Sequence, residues 1–243
     1  MKKLKIPNNL TNLAYKSIKE YVLDGRLDEG SRVTEEFLST QLGISKSPIR
    51  EALNRLETEG LIRIEPRKGA YLRRPSSQEV KELYDLREAL ETHVVRIAQV
   101  TPVLLAEFRL SLKRQRAFLK ANNRIHYVEE DLHFHSVLAQ ASGNAHLCAV
   151  LKNIENQIWL SHRNSYDLSS AKAPGYHESI VDALEAGDRK KAEADMRDHI
   201  RTVKRYLVEF LETRGGVSEP NRGEWRQLLQ PGKGGGAGET IGP

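Results

Sequence analysis

The chain contains a single cysteine, Cys148, which excludes an internal disulfide framework and a zinc site built from paired cysteines. It also lacks any apolar run long enough to cross a bilayer as a helix. The basic start at residues 1–5 is followed by Pro7, Asn8 and Asn9, where a signal peptide requires an apolar core. We therefore expect a cytoplasmic protein that has no membrane partner.

Positive charge is concentrated at one end of the chain. Residues 1–75 contain 15 Lys and Arg against 10 Asp and Glu, whereas residues 76–243 contain 23 of each. The length of 243 residues favours two domains. A cationic small domain joined to a neutral larger one suggests nucleic-acid binding by the first. An ordinary basic surface explains the charge equally well.

The first domain, residues 1–75, is predicted to be a winged helix-turn-helix. Apolar spacing predicts a helix over 11–24, and a second helix from the N-cap Thr34 to Leu42. A third helix is predicted to begin at Ser47, with Pro48 in its first position, and to continue to residue 59. Alternating residues at 61–65 and 70–73 predict two strands joined by a turn.

The rest of the chain predicts an all-α helical bundle over 76–214, so that the protein as a whole is mainly α. A capping box formed by Ser76 and Glu79 opens its first helix. The predicted helices span 76–99, 102–121, 125–141, 144–162, 176–186 and 188–213, and a longer connection covers 164–175. Residues 215–243 are rich in glycine, and we expect them to be disordered or to derive from a cloning vector.

The third helix has the composition that a DNA-recognition helix needs. Its apolar residues fall on one face, while Arg50 and Asn54 lie on the flank and the opposite face. Arginine can bind guanine and asparagine can bind adenine in the major groove. Any one of these residues also suits an ordinary surface helix, but the ordered set favours DNA. The predicted DNA-binding residues are Ser45, Lys46, Ser47, Arg50 and Asn54, with Arg67, Lys68 and Gly69 in the wing.

The run from Gly43 to Leu53, GISKSPIREAL, resembles the N-terminal domain of GntR-family bacterial transcription regulators, and so does the glycine at position 69. The resemblance covers about residues 11–73. It implies a homodimer that binds a short inverted repeat in double-stranded DNA, with the third helix in the major groove. Two departures weaken individual contacts. Lys46 stands where relatives often have arginine, and Glu36 stands where some have a DNA-contacting arginine.

Four residues of the second domain have the chemistry of a metal site. Asp131 and His135 are four apart on one predicted helix and share a face, while His177 and His199 lie on two later helices. Such a set of nitrogen and oxygen ligands suits Zn²⁺ or another divalent transition ion. Spacing alone leaves the ordinary alternative open, in which these histidines are solvated or hydrogen-bonded.

Residues 76–213 resemble the FCD ligand-binding domain of the FadR subfamily. The similarity rests on LYDLR at 83–87, DLHFH at 131–135, SGN at 142–144 and HESIVDAL at 177–184. It implies that Asp131, His135, His177 and His199 bind a divalent metal, Zn²⁺ first and otherwise Ni²⁺, Mn²⁺ or Fe²⁺. It also implies that Arg87 binds a small carboxylate effector. The alternative for this arginine is a structural salt bridge to Glu91.

These features together predict a ligand-responsive transcription regulator, with repression as the default direction. One alternative is a metal-dependent hydrolase carried on a DNA-binding domain, for which Glu130 and Glu178 are candidate general bases. A third possibility is an architectural DNA-binding protein without an effector.

Overall fold

A computed structural model describes residues 8–23, 32–163 and 172–214. The predicted tail at 215–243 lies outside these residues, as does most of the predicted connection at 164–175. The helices of the described part are α1 (Asn8–Leu23), α2 (Glu35–Leu42), α3 (Lys46–Thr58), α4 (Ser77–Ile97), α5 (Pro102–Lys120), α6 (Arg124–Ala141), α7 (Ala145–Arg163), α8 (Ala173–Glu185) and α9 (Arg189–Arg214). The strands are β1 (Arg32–Val33), β2 (Ile62–Glu65) and β3 (Gly69–Leu72). Among these helices, none has the length and apolar character needed to span a membrane.

The predicted winged helix-turn-helix and the helical domain behind it are both confirmed. Helices α1 and α2 pack on α3, whose inward face carries the fully buried Ile49, Ala52 and Leu56. The wing is a three-stranded antiparallel sheet in the order β1-β3-β2. Strand β1 is absent from the sequence prediction. It has only two residues, which is too few for a periodic pattern. It is defined as a strand by its pairing with Tyr71 and Ala70 of β3.

The start of α3 differs from the prediction. Its N-cap is Ser45 and not Ser47, so that Pro48 lies in the first turn but not at its first position. Proline is tolerated there because the amide groups of a first turn have no partner within the helix. The second helix agrees with the prediction at both ends, with Thr34 as N-cap and a left-handed Gly43 after it.

Gly69 is required by the fold of the wing. Its φ is +118°, and a Cβ placed on it would lie 2.7 Å from the backbone oxygen of Val33 in β1. Gly69 is also one of the predicted DNA-binding residues, but the fold gives an internal reason for a glycine here, because the backbone of β1 lies against it.

We expect Gly69→Ala to destabilise the protein by at least about 1–3 kcal/mol, since a strained φ is combined with a backbone clash. Gly43→Ala is the matched control, because Gly43 also has a positive φ but nothing lies within 4 Å of its added Cβ. Its cost should be limited to about 1–2 kcal/mol. Denaturant unfolding of both variants measures the difference. Equal losses would contradict the steric role of Val33.

The helical domain is built around the pairing of its first and last helices, α4 and α9. The predicted capping box of Ser76 and Glu79 opens α4. Arg189, at the start of α9, donates to the backbone oxygens of Val95 and Ala98 at the end of α4, at 2.9 and 2.6 Å. Helix α8 begins at Ala173, three residues before its predicted start, because its Pro174 is accommodated in the first turn. The resulting bundle encloses the four predicted metal ligands.

Candidate metal centre and DNA-reading surface

The four predicted metal ligands come together inside the bundle. Asp131 and His135 project from α6, His177 from α8 and His199 from α9, and all four are at most 7% exposed. One ring nitrogen from each of the three histidines lies within 4.8 Å of the others. Oδ1 of Asp131 lies 3.7 Å from Nε2 of His177. Three separate helices therefore deliver three imidazoles to one buried point, and the carboxylate of Asp131 lies beside one of them, His177.

His177 is held in the orientation of a metal ligand. Its Nδ1 lies 2.9 Å from Oε1 of Gln115 on α5, an acceptor, so that Nδ1 carries the proton and Nε2 presents its lone pair. That Nε2 lies 3.2 Å from Nε2 of His199. Burial lowers the pKa of His177 to about 3 and the pKa of His199 well below its ordinary value. Both rings are therefore neutral at pH 7, the form that binds metals.

Several buried polar atoms of this cluster lack hydrogen-bond partners. They include both ring nitrogens of His135 and Nδ1 of His199. Nδ1 of His135 does contact a polar atom, because it lies 2.5 Å from Oε2 of Glu91, so Nε2 is the nitrogen of this ring that is left over. Unsatisfied buried groups of this kind cost about 1–3 kcal/mol each. A bound cation would satisfy one ring nitrogen of each histidine that binds it, and the other nitrogen would still need an acceptor.

Arg87 lies beside the cluster and is fully buried. The predicted salt bridge is present, with Nε of Arg87 2.6 Å from Oε1 of Glu91. Burial opposes ionisation of Glu91, but the Arg87 guanidinium and then His135 lower the pKa of its carboxyl to about 2. Within the described part of the chain, the two terminal nitrogens of Arg87 are buried without a hydrogen-bond partner. The arginine therefore forms its salt bridge and still has two donors for an anion.

Residues that the sequence did not single out complete the site. Gln115 orients His177, and Tyr84 places its hydroxyl 2.9 Å from Nε2 of His162. His162 is 6% exposed, and burial lowers its pKa to about 4. Cys148 is half-buried. No spacing rule would have found these residues, because their partners lie on other helices.

The predicted DNA-binding residues lie together on the winged helix domain. All are exposed except Gly69, which is half-buried. Two of the cations are paired with carboxylates of α2. Arg50 binds Glu35 through two hydrogen bonds of 2.8 and 2.7 Å, and Lys46 forms an ion pair with Glu36. The positive charge of the predicted DNA-binding surface is therefore partly neutralised by acidic residues of the same domain.

The end of α3 is tied to the helical domain through Glu59. Its carboxylate accepts hydrogen bonds from Tyr15 at 2.6 Å, from Arg55 at 3.1 Å and from Asn156 on α7 at 2.7 Å. The next residue of α7, Gln157, lies against Gly60 so closely that an added Cβ there would be 3.1 Å away. Helix α7 therefore contacts the recognition helix directly.

Comparison with known proteins finds a matching family for each of the two parts of the chain. Residues 10–72 match the family described as bacterial regulatory proteins, gntR family, and residues 82–202 match the FCD domain. The Nta operon transcriptional regulator of Aminobacter aminovorans is 32% identical over 78% of this chain and 90% of its own length. A protein named as a probable D-xylose utilization operon transcriptional repressor, from Paenarthrobacter nicotinovorans, is 31% identical over 81% and 86%.

Solved structures have the same fold. A GntR transcriptional regulator from Rhodococcus sp. RHA1 aligns with a TM-score of 0.75 at 21% identity, over 83% of this chain and 99% of that one. E. coli McbR/YncC aligns with a TM-score of 0.69 at 21% identity, over 85% and 99%.

These relatives are transcription regulators, so the hydrolase interpretation is not retained. Its candidate bases also have other contacts: Glu178 binds Arg116 at 2.6 Å, and Glu130 lies 4.0 Å from Arg114. The N-terminal domain supplies DNA binding and the FCD domain lies behind it. The chain belongs to the GntR family of bacterial DNA-binding transcription regulators.

Proposed function

We propose that this protein is a ligand-responsive regulator whose FCD domain binds a divalent metal and a small carboxylate effector, and that the effector alters its affinity for operator DNA. The observation that carries the proposal is the buried cluster of three imidazoles beside an arginine whose two terminal nitrogens have no hydrogen-bond partner among the described residues. Such a cluster is costly without ligands, because each of its orphaned groups has given up its hydration.

The donor set fits a metal. The 3.2 Å between Nε2 of His177 and Nε2 of His199 matches the separation of about 3–3.4 Å expected for two nitrogens bound at 2.0–2.1 Å to one ion. Asp131, His135, His177 and His199 would hold the ion, and Zn²⁺ suits this mixture of ligands best. The metal would supply a positive charge and coordination positions for an effector carboxylate. Arg87 would bind the same carboxylate through its terminal nitrogens.

On DNA, the exposed residues of α3 and the wing take the roles predicted for them. Arg50 and Asn54 read bases, and Ser45, Lys46 and Ser47 bind phosphates at the start of α3. Arg67 and Lys68 contact the backbone or minor groove from the wing, beside Gly69. DNA-binding proteins of this type bind two half-sites as two-fold symmetric dimers, so the protein binds a short inverted repeat as a homodimer. Repression is the default direction, in agreement with the name of the relative from Paenarthrobacter nicotinovorans.

Helix α7 supplies a physical connection between the effector and DNA sites. Lys152, Glu155 and Ile158 line a cavity that also contains Arg87, while Asn156 on the same helix binds Glu59 at the end of α3. A small shift of α7 on effector binding would therefore act on the end of the recognition helix. Such coupling between sites is typically worth about 1–3 kcal/mol.

We expect Asn156→Ala to weaken this coupling. The variant should bind operator in the absence of effector, whereas the change in operator affinity caused by a bound acid should shrink several-fold. Titration of labelled operator with and without the acid measures both quantities. Asn153→Ala, an exposed asparagine on the same helix, is the control and should respond like the wild type. An unchanged response of Asn156→Ala would remove this contact from the mechanism.

We expect Glu36→Gln to strengthen DNA binding several-fold. The substitution removes a carboxylate from the reading face and releases Lys46 for a phosphate. The slope of log affinity against log salt should then become steeper by about one unit. Stability should change little, because Glu36 and Lys46 are 75% and 50% exposed. Glu129→Gln, an exposed carboxylate on α6, controls for the change in net charge; equal affinities for the two variants would contradict a local effect.

Selection of bound DNA from a random pool, repeated with candidate acids, tests the proposal as a whole. Recovery of one inverted repeat whose yield depends on an acid is the expected result. A repeat that is recovered equally under every condition would favour an architectural role without an effector. Metal analysis of the purified protein decides separately whether the histidine cluster binds an ion.

A further inference from the structure

A cavity of about 460 Å³ lies between α6 and α7 and includes the site at Arg87. Its lining changes character along its length. Arg87 and His135 are buried, whereas Gln140 and Lys152 are exposed, so the cavity leads from a buried basic site to solvent. The residues between these two ends are mostly apolar: Leu132, Ala139, Ala145, Cys148, Ala149, Leu151 and Ile158.

The polar residues at the open end already have partners. Lys152 forms an ion pair with Glu155, and Nε2 of Gln140 donates to the hydroxyl of Ser136 at 3.4 Å. The thiol of Cys148 donates to the backbone oxygen of Ala139 at 3.2 Å. The terminal nitrogens of Arg87, in contrast, have no hydrogen-bond partner among the residues that the structure describes. The cavity therefore offers strong donors to a carboxylate at its buried end, and the rest of its lining is mostly apolar, with Ser136, Gln140, Lys152 and Glu155 as the polar residues.

This distribution discriminates between classes of acid. A carboxylate would pair with Arg87, and a hydrocarbon body would lie on the alanine-rich walls of α6 and α7 at a gain of about 25 cal/mol for each Å² removed from water. The hydroxyl groups of a sugar acid would meet the same walls. Each one buried without a partner would cost about 1–3 kcal/mol.

We propose that the effector is a monocarboxylate with an aromatic or alkyl body, whose body occupies the apolar part of this cavity, and that polyhydroxy acids are rejected there. The inference rests on the proposed function, because it takes the anion site at Arg87 from it. It adds the chemical class of the ligand.

Calorimetric titration of the zinc-loaded full-length protein tests the inference with phenylacetate, octanoate and gluconate as probes. We expect phenylacetate or octanoate to bind at least ten times more tightly than gluconate. Binding of gluconate with equal or greater affinity would overturn the inference and leave the proposed effector site intact. If no carboxylate binds, the proposed function itself fails and the inference fails with it.

The chain's single cysteine reports where the acid binds, because Cys148 lines the cavity. A bound phenylacetate or octanoate should slow its reaction with N-ethylmaleimide, and gluconate at the same concentration should not. Binding without protection would place the acid elsewhere and contradict the inference.

Ala149→Leu fills the apolar part from an exposed position, so that the fold should be retained. It should weaken binding of the two apolar acids at least ten-fold, whereas Ala106→Leu, at an exposed position on α5, should leave their binding unchanged. Unaltered binding by Ala149→Leu would also overturn the inference.

Discussion

His135→Ala is expected to reduce bound metal from about one ion per chain to less than a tenth of that amount under chelator-buffered conditions. Loss of a second-shell partner already costs 10–100-fold in metal affinity, and loss of a ligand costs more. Metal bound at a hundred times its Kd stabilises the folded state by about 2.7 kcal/mol. For a chain of this size, removing that contribution lowers Tm by about 5–10 °C. Elemental analysis and thermal unfolding with and without chelator measure the two effects.

His133→Ala is the matched control for this experiment. His133 is two residues away on the same helix, but it is exposed and contacts Glu107 at 3.2 Å. The variant should retain both the metal and the response of Tm to chelator. Retention of metal by His135→Ala as well would show that the ion is bound elsewhere.

Arg50→Ala is expected to lose about 1–3 kcal/mol of specific operator affinity, which is roughly 5–150-fold, and to relax the sequence preference at one base pair. The guanidinium of Arg50 donates two hydrogen bonds to the carboxylate of Glu35, and the Arg50 side chain is 63% exposed. It can therefore exchange this carboxylate for a guanine without rearrangement of the core. Affinity for the operator and for its single-base variants, measured at one salt concentration, tests both parts.

Two further variants show whether the loss is specific. Lys46→Ala should weaken binding to all sequences alike, because an ammonium acts on phosphate as a point charge. Arg205→Ala, an exposed arginine on α9, removes the same charge far along the chain and should change affinity little. If Arg50→Ala also lost affinity equally for every sequence, Arg50 would be a phosphate contact and not a base contact.

The sequence predicted the elements well where the signals are local. Thr34, Gly43 and the Ser76–Glu79 capping box act on backbone groups within a few residues, and each marks the helix end that was predicted from it. Prediction was less accurate at the start of α3 and of α8, where a proline suits several positions of the first turn. The two-residue strand β1 escaped prediction because it is defined by its partner, β3.

The candidate metal ligands were predicted from the sequence because two of them share a helix face and the others match a family pattern. The residues that surround them were not predicted. Gln115 orients His177 across 62 residues of chain, and Tyr84 binds His162 across 78. The contact between Asn156 and Glu59 spans 97 residues. Pairings over such distances leave no periodic trace in a single sequence.

By itself, then, the amino-acid order determined a cationic DNA-reading module, a helical domain behind it and the identity of four candidate ligands. The first two follow from charge, periodicity and caps, whereas the four ligands follow from one shared helix face and from the family resemblance. The folded bundle alone decided which nitrogens are left without partners, that Arg87 keeps two donors after pairing with Glu91, and that α7 touches the recognition helix. Burial and distance between remote segments are properties of the packed chain, so only the tertiary structure could fix them.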